Sequence, residues 1–139
     1  MMEMPMLRCA LALIALLPVP ALATGSLFPT LNLPVNRVSA AQFEVIEMRG
    51  AGPRDIWCAA ARYATGTLGQ QRGRIYIDRP RANALTAQGR KGVVFTTQAP
   101  ANAAPTGVSV TTARAGASLP VAHAMQFCRD RIIEPDDLF

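Results

Sequence analysis

The spacing of apolar and polar residues predicts most of the secondary structure. Over residues 42–48, Phe43, Val45 and Glu47 alternate with Glu44, Ile46 and Met48, the period of a strand. Gly50-Ala51-Gly52-Pro53 then turns the chain, with Pro53 suited to a first helical position and Asp55 to the electropositive first turn. From Arg54 to Gly66, Ile56, Ala60, Tyr63 and Ala64 fall on one helical face, and Trp57, Ala61 and Leu68 widen that stripe. Gly66 and Gly69 are its natural stops. Strand patterns follow at Arg74–Asp78, Gly92–Thr97 and Gly107–Thr112. An Ala/Pro/Asn connection, Gln98–Thr106, joins the last two. Pro120 opens a second helix, in which Val121, Met125, Cys128 and Ile132 share a stripe before Pro135-Asp136-Asp137 ends it.

The element order is thus β-α-β-β-β-α. Consecutive strands with short connections favour an antiparallel sheet of about four strands, covered on one face by two helices, so the class is α+β. Residues 42–139 form that single domain. Residues 24–41, with Pro29, Pro34 and no clean period, read as an extended arm that Phe28 and Leu31 pin down.

The first 23 residues have a different character. Arg8 precedes an uncharged run from Cys9 to Leu17, Pro18-Val19-Pro20 interrupts it, and Ala21-Leu22-Ala23 offers small residues at a cleavage site. This is the layout of a secretory signal peptide cut after Ala23. A membrane span needs about 20 apolar residues, more than this run supplies. Cys9 opens the apolar run instead of following a small-residue box, which removes the lipoprotein reading. Export to the periplasm or beyond leaves Cys58 and Cys128, an even pair that reads as a disulfide between the two helices.

The chain has 139 residues, 50% of them hydrophobic and 17% charged, which excludes intrinsic disorder. Its 14 basic and 9 acidic side chains give a net charge of +5. The cations concentrate between Arg49 and Lys91, where Arg54, Arg62, Arg72, Arg74, Arg79, Arg81 and Arg90 face only Asp55 and Asp78. Such a field attracts anions. The long connection from Arg79 to Lys91 holds four of these cations at its ends, and long loops are often functional. Arg79, Arg81, Arg90 and Lys91 are therefore the candidate contact for an anionic envelope component or an acidic protein. Nucleic acid is not expected, because the aromatics of this stretch sit largely on the helix face that reads as core and no polybasic tract occurs.

Catalytic patterns are weak. Gly50-Ala51-Gly52 resembles the start of a dinucleotide loop, but Asp55 stands where its third glycine belongs. His123 lies off the apolar stripe of its helix, and no nucleophile elbow pairs it with Ser109, Ser118 or Asp130. Glu44 and Glu47 point to opposite faces of their strand, which does not suit a two-carboxylate glycosidase. Two cysteines and one histidine do not make a four-ligand zinc site. No cofactor or metal is expected.

The segments Asp55–Tyr63, Arg74–Ile77, Gly89–Thr96 and Gln126–Cys128 resemble small uncharacterised exported proteins of alphaproteobacteria. The resemblance, over about residues 42–128, implies a periplasmic setting and the cysteine pair, and transfers no catalytic residue. Together these features predict a small exported binding or envelope-associated structural protein. The alternative is a small hydrolase or a hydrolase inhibitor. A cleft holding His123 beside a serine or carboxylate would favour the enzyme, and a convex inserting loop would favour the inhibitor.

Overall fold

A computed structural model describes residues 32–48, 50–104, 107 and 109–133, with side chains up to Arg129. The expected leader 1–23 with its expected cleavage site, the first part of the expected arm (24–31) and the 134–139 tail lie outside the described residues.

Among the described residues, five strands and two helices follow in the order β1 (Val35–Arg37), β2 (Gln42–Ile46), α1 (Pro53–Gly66), β3 (Arg74–Asn83), β4 (Lys91–Thr96), β5 (Ser118–Pro120) and α2 (Val121–Ile133). The strands form one sheet in the order β1-β2-β4-β3-β5, with every neighbouring pair antiparallel. The class is α+β, as the periodicities imply. None of the described helices is long and apolar enough to cross a membrane.

The alternation in β2 sends Phe43 and Val45 to the helix side, where Ile75, Ile77, Val93, Phe95 and Leu119 join them in full burial. Trp57 and Phe95 meet edge to face with ring centroids 5.0 Å apart, and Phe43 lies 4.6 Å from Tyr63. Ala60, Ala61 and Ala64 on α1 and Ala124 on α2 are also fully buried, so small side chains let the helices approach each other and the sheet. Cys58 on α1 and Cys128 on α2 form a disulfide with a Cα–Cα separation of 5.1 Å, within the usual range of about 4.4–6.8 Å. The bond bridges helix to helix across 70 positions of sequence.

The start of α1 explains its glycines. Gly50 has φ +82°, a conformation that glycine reaches without penalty. Gly52 caps the helix, Pro53 is its first residue, and the Asp55 carboxylate accepts the Gly52 N–H at 2.7 Å. An acid that reaches back to the cap is a helix-start device.

Three expectations need correction. The described part of the predicted strand 107–112 is not a strand. Both edges of β4 are already taken, by β2 and β3. The carbonyls of Val110 and Thr111 turn instead to the buried indole of Trp57, at 3.1 and 3.3 Å. Second, the free edge of β3 is taken further on. Thr112, Gly116 and Ala117 bond to Arg81 and Ile77, and Ser118–Pro120 then form β5 beside Arg74–Tyr76. Pro120 consequently ends an edge strand and α2 starts one residue later, at Val121. An edge strand tolerates proline because one side needs no N–H donor. Gly116, at φ +82°, allows this crossing: a Cβ there would stand 2.1 Å from the Asn102 carbonyl oxygen. Third, the expected arm 24–41 contains β1, which pairs with β2 from Val35↔Val45 to Arg37↔Phe43. Among the described residues the sheet therefore has five strands where about four were expected.

Candidate functional site

The stretch read as a loop from Arg79 to Lys91 is mostly strand. β3 continues to Asn83 through two register shifts, so the connection to β4 shortens to residues 84–90. Such shifts bend a strand and increase its twist. An Ala84 N–H to Arg90 carbonyl bond of 2.9 Å closes the connection, and Gly89 at φ +75° makes the turn.

This hairpin is anchored by a carboxylate that sequence reasoning assigned no role. Glu44 of β2 is only 1% exposed, on the sheet face away from the helices. Its Oε1 accepts the Leu85 N–H at 2.8 Å, while Oε2 accepts the Thr86 N–H at 2.8 Å and the Thr86 hydroxyl at 2.6 Å. Asn36 of β1 donates to the same hydroxyl oxygen at 2.9 Å. Gly92 on β4 makes room, because a Cβ there would lie 2.8 Å from Glu44 Oε1. A buried carboxylate is tolerable when charge-assisted hydrogen bonds replace water. The available signal was an acid between the apolar residues Phe43 and Val45. Only the folded sheet sets it against Gly92.

The four candidate cations have different fates. Arg81 is paired with Glu47, through Nε to Oε2 and through Nη2 to Oε1 at 2.9 Å. These hydrogen bonds hold the Glu47 carboxyl below its ordinary value against the opposing effect of burial, and the charges of Arg81 and Lys91 add to them. The Arg81 value is raised by the same hydrogen bonds and the Glu47 charge. Lys91 donates to Asn83 Oδ1 across the strand pair at 2.7 Å and remains exposed. Arg90 is exposed on the connection. Arg79 lies apart, half-buried opposite Val94, and its Nη1 is buried without a hydrogen-bond partner. The exposed tip thus presents Arg90, Lys91 and Leu85, the last 58% exposed. Glu47 offsets the basic character at the base of the hairpin.

The described residues weighed for hydrolysis are engaged with other partners. The His123 ring lies edge-on to Phe127 at 5.4 Å, and the guanidinium of Arg54 sits 5.5 Å from the same phenyl centroid. The Ser118 hydroxyl accepts from Arg74 Nε at 2.9 Å, on β5. Ser109 Oγ accepts the Thr111 N–H. The Asp130 side chain lies outside the described residues. Among the described residues no group of three His, Cys, Asp or Glu could hold a metal ion.

Hollows lie elsewhere among the described residues. A cleft of about 240 Å³ between β1 and α1 is lined by Asn32, Leu33, Val35, Ala59, Arg62, Tyr63 and Thr67. A recess of about 40 Å³ lies beside Ala104, Gly107, Ser109, Arg114, Ala117 and Ser118. Comparison with protein-family models, curated proteins and solved structures finds no match for this chain.

Proposed function

We propose that this chain is an exported binding module, working in the periplasm, that docks an acidic protein of the envelope through the β3–β4 hairpin. The observation that carries this reading is the anchoring of the connection by Glu44. Surface loops ordinarily lose conformational freedom on binding, and a loop already ordered binds at lower entropic cost. The tip combines an exposed Leu85 with the exposed cations Arg90 and Lys91. That is an apolar anchor flanked by charges that steer and orient an acidic surface. The leader-like residues 1–23 and the Cys58–Cys128 bond support an oxidising compartment.

Site-specific photocrosslinking from position 85 in envelope extract tests this reading. One acidic protein adduct is expected, lost on Arg90→Glu with Lys91→Glu and on raising salt from about 0.05 to 0.5 M, where screening shortens sharply. Adducts that persist through both changes would refute it. So would binding to anionic lipid or lipopolysaccharide with no protein adduct.

A further inference from the structure

We propose that the cleft between β1 and α1 captures the carboxyl terminus of an extended peptide whose last side chain is apolar. Three independent features meet there. The first is an open strand edge. The Ile46 N–H to Pro34 carbonyl and Val38 N–H to Gln42 carbonyl bonds place Pro34, Asn36 and Val38 in hydrogen-bonding register with β2. The alternate residues, Val35 and Arg37, therefore turn their N–H and C=O groups away from β2. β1 is the last strand of the sheet, and among the described residues no strand pairs with that edge. Unpaired edges accept extended peptides by adding a strand.

The second feature is the cleft itself. Its lining includes Leu33, Val35, Ala59 and Tyr63, apolar apart from the phenol. At about 240 Å³ it is smaller than the roughly 300–1,000 Å³ of sites that enclose whole small molecules. That size suits one terminal side chain with its carboxylate.

The third feature is charge. Among the described residues Arg62 is the one ionic side chain lining the cleft, so an anion is the complementary ligand. Its Nη1 donates to Asn32 Oδ1 at 3.1 Å, which holds the guanidinium at the mouth. A guanidinium carries five donors, so others remain for a carboxylate. Polarity of the strands links the three features. β1 runs away from Asn32, so a peptide added antiparallel to it ends at Asn32 and Arg62. The carboxylate then arrives at the cation while preceding residues pair with Val35 and Arg37.

The test uses the full chain and a hexapeptide of alternating Thr and Val that ends in a Leu carboxylate, together with its C-terminal amide. Calorimetry is expected to show the acid binding about 10- to 100-fold more tightly than the amide, the range for hydrogen bonds to a charged group. Arg62→Gln, at an exposed position, is expected to remove that preference and leave the fold intact. Amide hydrogen exchange is expected to show Val35 and Arg37 unprotected in the free protein and protected once the peptide binds. Equal affinity for acid and amide overturns the proposal. So does protection of both amides without peptide, which means that the chain's own residues cover the edge. A fatty acid that binds in the cleft while the acid peptide leaves Val35 and Arg37 unprotected overturns it as well.

Discussion

Replacing Glu44 by alanine tests the anchoring of the β3–β4 hairpin directly. The substitution removes the acceptor of three hydrogen bonds, from the Leu85 and Thr86 amides and the Thr86 hydroxyl. Hydrogen bonds to a charged group contribute about 1.5–3 kcal/mol each. Their sum is not the expected loss, because two terms reduce it. Leu85 and Thr86 are exposed residues, so their donors regain water once the connection lifts. The carboxylate, only 1% exposed, no longer has to be held out of water, which offsets part of the loss. We expect a net destabilisation of about 2–4 kcal/mol, in the upper part of the range for single substitutions.

Glu44→Gln makes the prediction sharper. A glutamine oxygen can still accept one amide, but its NH2 would then face a second N–H donor. The Thr86 hydroxyl oxygen offers limited relief, because Asn36 Nδ2 already donates to it. The glutamine variant is expected to fall between wild type and alanine. Urea unfolding gives the stabilities, and native-state hydrogen exchange gives the location. In Glu44→Ala, the Leu85 and Thr86 amides should exchange at the rate of an open loop. Ile77, whose N–H bonds to the Ala117 carbonyl inside the sheet, should keep its protection relative to global stability. Unchanged protection of Leu85 and Thr86 in the alanine variant would refute the anchoring role, whatever happens to overall stability.

The Glu47–Arg81 pair should contribute less. The side chains are 21% and 47% exposed, so solvent screening keeps the coupling small in a double-mutant cycle. The folded Glu47 value lies below its ordinary one. Its contribution is therefore complete above the unfolded value, near 4.3, and disappears as pH falls through the lower folded value; a cycle that keeps full coupling below that point would contradict the pairing. Reducing the disulfide, or changing both cysteines to alanine, opens a closure of 70 positions and should cost about 4 kcal/mol in the chain-entropy picture. A urea midpoint unchanged by reductant would show that helix packing alone sets the stability.

Local pattern and tertiary context contributed different things. β2, β4, the first half of β3, α1 and α2 were legible because their own residues carry the pattern: β-branched and aromatic residues in the strands, with Phe43 and Val45 two apart, and Ile56, Ala60 and Ala64 at helical spacing in α1. The cysteine pair was legible for a similar reason, since each cysteine falls on a readable helix. β1 and β5 were not legible. Each has three residues, too few to show a period, and each exists only because a neighbouring strand offers an open edge. The segment 107–112 has strand-forming residues, yet Trp57 takes the Val110 and Thr111 carbonyls. Propensity yields where a buried donor 53 residues away demands an acceptor.

The candidate site divides in the same way. The sequence alone determined that cations crowd the region from Arg79 to Lys91, because charge is a property of residues. Only the tertiary structure decided which of them remain available. Arg81 is paired with Glu47, Lys91 bonds to Asn83, Arg79 sits half-buried against the sheet, and Arg90 stays exposed with Leu85. The cleft of Arg62 and Asn32 joins positions that are 30 residues apart. The physical reason is common to both cases. Side-chain chemistry and short-range periodicity travel with the chain, whereas pairing, burial and strand edges depend on what distant segments bring alongside.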